Sequence, residues 1–118
     1  MKRVLKGVMI LFGVLVLLAS FPAYRLYVEI QKSRNEDPRV YTEDIADLIE
    51  RTRKGPVTED AIVFIGSSSI RLWSSLKDDM QPLPVIQHGF GGAKLADIAF
   101  YADQLVNPFA PRAVVVFA

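Results

Sequence analysis

Between residues 61 and 118 this chain alternates three short, unbroken apolar runs with two amphipathic stretches, and few folds can bury that pattern. "AIVFIG" (61–66), "LPVI" (83–86) and "AVVVFA" (113–118) have no polar face, as is required of parallel strands covered by helices on both sides. "IRLWSSLKDDM" (70–80) predicts a helix that turns Ile70, Trp73 and Leu76 toward a core. "AKLADIAFYADQLV" (93–106) predicts a second helix, with Leu95, Ile98, Ala99, Ala102 and Leu105 recurring at three and four. Strand, helix, strand, helix, strand reads as a doubly wound α/β sheet with right-handed crossovers and three buried strands. Such sheets gather ligands at the carboxyl ends of their strands. Two Ser/Gly-rich loops, 66–69 and 89–92, fall at that edge, and Gly89 to Gly92 read as the turn after the second strand.

Upstream the pattern is different. Residues 7–24, "GVMILFGVLVLLASFPAY", hold no charge over 18 positions, with Lys2, Arg3 and Lys6 in front. At about 1.5 Å per residue such a helix just crosses a hydrocarbon core of about 30 Å. Basic residues before an apolar run mark a signal peptide or a signal-anchor. A small-x-small cleavage site is poor here, because Leu17 stands two residues before Ala19 and Phe21 two before Ala23. Retention in the cytoplasmic membrane is therefore the leading reading. The rest of the chain is then extracytoplasmic, or secreted if the segment is cleaved. Residues 25–41 read as a charged stalk, and 42–118 as the folded domain. Thr42 is placed to cap a helix that carries Ile45, Leu48 and Ile49 on one face and stops at Gly55-Pro56.

Composition removes several functions. There is no cysteine and one histidine, His88, which leaves no thiolate or His-rich metal site and no cysteine nucleophile. Beyond residue 24 the chain has 11 basic and 13 acidic side chains, so it offers no basic stripe for nucleic acid. The acidic pairs Asp78-Asp79 and Glu59-Asp60 read as solvated acids at a helix end and a turn, and no metal or other cofactor is expected. "GFGGAK" (89–94) lacks the third glycine of a dinucleotide fingerprint and the Gly-Lys-Ser/Thr order of a phosphate loop.

"FIGSSSIRLW" (64–73) carries the most chemistry. Ser67, Ser68 and Ser69 can cap the helix that follows, or one of them can be a nucleophile presented at a strand-to-helix turn. Ile70 excludes the Gly-x-Ser-x-Gly elbow. Glycines opening the next helix can aim an amide at an oxyanion formed beside the first loop.

Together the two loops resemble two of the four blocks of the SGNH (GDSL-type) hydrolases. "FIGSSSIRLW" is similar to a Gly-Ser-Ser-Ser variant of the first block, with Ser67 where Asp is common. "QHGFGG" (87–92) is similar to Asn-x-Gly-x-x-Gly, with Gln87 in place of Asn. The resemblance spans about residues 38–118. It implies a flavodoxin-like three-layer parallel sheet, truncated to about three strands. It implies Ser68 as the nucleophile, the amides of Ser68 and Gly92 as oxyanion donors, and Gly66, Ser67, Gln87 and Gly89 as loop supports. Its implied substrate is a small carboxylic ester or a lipid. The family's Gly-x-Asn-Asp and Asp-x-x-His blocks do not occur in these 118 residues, so the chain alone is expected to be inactive. His88 reads as a loop or surface residue. The alternative to an esterase is a non-catalytic exported α/β module that binds or supports.

Overall fold

The computed structural model describes residues 1–56 and 59–118. They divide into two compact units, Met1–Gln31 and Lys32–Ala118. From Lys2 onward the first unit belongs to α1, a continuous helix over Lys2–Arg34 that runs through Pro22. This helix is long and apolar enough to cross a membrane, and its apolar window is not buried by protein.

The second unit is a mixed α/β domain. Pro38–Tyr41 form one 3-10 turn, opened by the Asp37 carboxylate, which accepts the Arg39 N–H. Tyr41, at the end of the segment read as a stalk, is fully buried. Helix α2 (Thr42–Lys54) follows, with Glu43 and Asp44 in its first turn, where the helix dipole favours acids. Tyr41, not Thr42, is its cap residue; the Thr42 hydroxyl donates to the Arg39 carbonyl and lies 3.0 Å from the Tyr101 hydroxyl. Strands β1 (Ile62–Gly66), β2 (Val85–Gly89) and β3 (Ala113–Phe117) make one parallel sheet in the order β2-β1-β3.

That order fixes the layers. The first crossover steps from β1 to β2 in one direction, and the second passes back over β1 to reach β3. Two crossovers of the same hand and opposite direction put their helices on opposite faces. On one face Val63, Ile65 and Ile86 pack with Ile45 and Leu48 of α2 and with Ile98, Tyr101 and Leu105 of α5 (Leu95–Val106). On the other, Phe64 packs with Ile70 and Leu76 of α3 (Ser68–Arg71) and α4 (Leu76–Asp79). Each fully buried aliphatic side chain contributes roughly 1.5–3 kcal/mol, so both faces are needed to hold a sheet this small.

Four expectations are corrected. The helix over 70–80 is two four-residue helices. Where the first ends, the Gln87 amide adds bonds to the Ile70 and Trp73 carbonyls, and Ser74 and Ser75 between the two are weak helix formers. Trp73 lies at the rim, 37% exposed; its ring meets Phe64 edge-on at 5.9 Å and its indole N–H donates to Asp79 at 2.6 Å. Leu95 and Ala99 face outward on α5, because Asp97 turns inward and rotates the buried stripe onto Ile98, Tyr101 and Leu105. Finally β3, expected to be buried, is exposed on both faces: Val114 and Val116 on one, Val115 and Phe117 on the other, at 39–58%. Among the described residues it pairs with β1 alone.

Candidate functional site

In a β2-β1-β3 sheet the chain reverses direction at β1. The loop leaving the carboxyl end of β1 therefore opens at a switch point, where no crossover helix blocks it. That loop is the serine run. Gly66 ends β1 in close contact with its neighbours: a Cβ there would stand 2.0 Å from the Phe117 carbonyl oxygen and 2.6 Å from Ile70 Cγ1. The Ser67 N–H then donates to that same Phe117 oxygen at 3.1 Å. The chain turns at once into α3, whose first residue is Ser68.

Ser67 holds the cap position with extended geometry, but its hydroxyl makes no capping bond. Its carbonyl instead accepts the Arg71 N–H at 3.1 Å, and the Ser68 carbonyl accepts Leu72 N–H at 2.8 Å. Among the described residues, no side-chain hydrogen bond occupies the hydroxyls of Ser67, Ser68 or Ser69, and Ser68 is half-buried. The capping role open to these serines is thus not the one the structure uses.

The second loop is fastened to the first. Phe90 N–H donates to the Gly66 carbonyl at 3.0 Å. Gly89 lies against the backbone of α3, where a Cβ would come within 2.2 Å of the Arg71 nitrogen. Gly92 adopts a left-handed φ of 76°, a conformation glycine takes without steric cost. Among the described residues, the backbone N–H groups of Ser68 and Gly92 meet no backbone acceptor. Gln87 supports α3 from beneath: its amide donates to the Ile70 carbonyl at 2.5 Å and the Trp73 carbonyl at 2.9 Å.

Gln87, His88 and Gly89 are strand residues, because β2 runs three residues past the "LPVI" run. The register pairs Phe64 with Gln87 and Ile65 with His88, and successive strand residues point to opposite faces. Gln87 therefore faces α3, and His88 faces α2 and α5. The reading of His88 as a loop or surface residue is overturned: it is fully buried. Its Nδ1 lies 2.8 Å from the Leu105 carbonyl, its Nε2 2.8 Å from the Thr52 hydroxyl, and its ring 5.1 Å from that of Phe109. A carbonyl can only accept, so Nδ1 carries the proton. Burial pushes the imidazole below its ordinary range; the Leu105 carbonyl works against that, and the positive charge of Arg51 works with it. His88 is a structural clamp between β2, α2 and α5, on the far side of the sheet from α3.

Other polar groups are committed elsewhere. Asp79 accepts bonds from Ser75 and Trp73, which hold its carboxyl below the usual range. Asp60 pairs with Arg112. Among the described residues no group of three His, Asp or Glu side chains is arranged to hold a metal ion. A hollow of about 430 Å³, lined in part by Thr52, Gly55, Asp60 and Phe109, lies toward the amino ends of the strands, away from the serine loop. Sequence reading places Gln87 only as a loop support, not as the donor that holds α3, and it misses Lys94 as the close of the glycine turn. Neither role gives a signal in sequence, since both side chains act on backbone atoms of segments remote along the chain.

Comparison with known proteins finds no matching family model, no matching characterised protein and no matching solved structure.

Proposed function

We propose that these residues form the N-terminal part of a serine hydrolase anchored in the cytoplasmic membrane, with its α/β domain outside. Within that class, the reading that fits best is an SGNH-type esterase acting on carboxylic esters through an acyl-serine at Ser68. One observation carries it: Ser68 stands at the switch-point edge of the sheet with hydroxyl and amide both unengaged among the described residues, and the Gly92 amide, likewise unengaged, lies on the loop fastened beside it. The strand order also fits a flavodoxin-like sheet, whose order begins 2-1-3. So do the bare apolar faces of β3, which in such a sheet are covered by further strands and helices.

In this mechanism Ser68 Oγ attacks the ester carbonyl. The carbonyl oxygen becomes an oxyanion held by the Ser68 and Gly92 N–H groups, and the alcohol leaves as the acyl-serine forms. Water then releases the acid. The base that takes the Ser68 proton comes from beyond the residues described, since His88 is enclosed on the opposite face. That same enclosure favours the second reading, a non-catalytic exported module, for the 118 residues on their own. In the protein purified from its native membranes, Ser68→Ala is expected to lower p-nitrophenyl ester hydrolysis by about 10³-fold or more. Equal rates in the two proteins would sink the esterase reading.

Anchoring rests on α1, with Lys2, Arg3 and Lys6 on the cytoplasmic side. The protein is expected to stay in the membrane pellet through an alkaline carbonate wash and to yield to detergent. Release by carbonate alone would contradict a spanning helix.

A further inference from the structure

The turn between β2 and α5 is pinned at both ends, with two glycines and the buried Ala93 between. At its start Phe90 is buried against Tyr41, ring centroids 5.1 Å apart, and its N–H is bonded to Gly66. At its end the Lys94 N–H donates to Asp97 Oδ2 at 2.8 Å, and Asp97 is only 1% exposed. Between them Ala93 is buried in the core, while Gly91 and Gly92 carry no side chains of their own.

Lys94 makes a second attachment. Its ammonium donates to the Ser33 carbonyl at 3.1 Å and the Asn35 carbonyl at 2.5 Å, and stands 3.8 Å from Asp97 Oδ2. Ser33 lies in the last turn of α1, where a lysine side chain can bond the terminal carbonyls. One side chain thus joins three things: the Ser33 and Asn35 carbonyls around the end of α1, the buried carboxylate that starts α5, and the close of the glycine turn. The end of α1 is held separately by Lys32 to Asp44, at 2.6 Å.

We propose that Lys94 is a positioning residue: by tying the glycine turn to residues 33–35, it makes the rigidity of the Gly92 amide depend on the state of the last turn of α1. The role of that amide as an oxyanion donor rests on the esterase reading above; the coupling itself rests on geometry alone. In a membrane-anchored enzyme, such a tie lets disturbance at the helix end loosen the oxyanion site.

The test is ¹⁵N relaxation on the full chain in detergent micelles, which needs no substrate. In the unaltered protein Gly92 is expected to show the order parameter of rigid backbone, about 0.85, falling below about 0.6 in Lys94→Gln and recovering in Lys94→Arg. Val63 and Ile65 in β1 are expected to keep their values. Should Lys94→Gln not fold, Ser33→Pro unravels the acceptor turn with Lys94 intact, and the same loss at Gly92 is expected. A Gly92 amide that is already loose in the unaltered protein, one that neither variant changes, or a loss spread equally over β1, overturns the proposal. Ester hydrolysis enters none of these outcomes, so the coupling and the esterase reading can fail independently.

Discussion

Gly66→Ala is expected to destabilise the Lys32–Ala118 unit by about 3 kcal/mol, at the upper end of what overpacking costs. The added Cβ would sit 2.0 Å from the Phe117 oxygen, a backbone atom fixed by the β1–β3 ladder, and 2.6 Å from Ile70 Cγ1. A flexible side chain could yield, but a ladder carbonyl yields only if β3 moves. Because the Ser67 N–H bonds to that oxygen, displacing β3 also shifts the turn that presents Ser68. Gly55→Ala is the control, since among the described residues its Cβ would meet nothing closer than 3.4 Å. Urea midpoints followed by Trp73 fluorescence, the chain's only tryptophan, should fall well below the parent for Gly66→Ala and stay near it for Gly55→Ala. Matching midpoints for the two variants would mean the close approach of β1 and β3 is wrong.

The second large effect belongs to His88. Its folded form is held neutral, with its affinity for a proton lowered by burial, whereas in the unfolded chain it titrates near its ordinary value of about 6.5. Below that value the unfolded chain binds more protons than the folded one. Stability is therefore fully present above about pH 6.5 and is lost as pH falls below it. Thr52 adjusts the network but does not remove the charge. Its single proton can go to His88 Nε2 or to the Leu48 carbonyl 2.9 Å away, while protonated His88 remains a cation enclosed in the core beside Arg51. His88→Gln is expected to flatten the dependence between about pH 7.5 and 5.5. His88→Ala is expected to cost about 3 kcal/mol at about pH 7.5, from lost packing and from an unpaired Leu105 carbonyl. If the parent protein gains stability on acidification relative to His88→Gln, the enclosed neutral imidazole is wrong.

The fold was legible where burial is decided by apolar runs. Val63 to Ile65, Ile86, and the Ile98 and Leu105 stripe of α5 all sit where spacing puts them. It was illegible where polar side chains bond to distant backbone. Gln87 and His88 ended the second apolar run, yet both lie in β2, one satisfied by α3 and the other by Leu105 and Thr52. The same amide of Gln87 bonds the carbonyls where the helix expected over 70–80 breaks, and an inward Asp97 rotates α5 off Leu95. At the site, the order of loops along the chain was enough to place Ser68 and Gly92 on one edge. The close packing behind Gly66 and Gly89 could not be read, because it depends on which strands and helices meet there.

The proposed esterase requires Ser68 to be an activated nucleophile in the protein as its cell makes it. Native membranes treated with a fluorophosphonate probe, digested with trypsin and analysed by mass spectrometry, test this directly through the peptide spanning residues 55–71, which carries all three serines of the loop. The expected result is a single phosphonyl adduct on Ser68, absent after Ser68→Ala. An unlabelled peptide from folded protein, or an adduct that persists in Ser68→Ala, would contradict it.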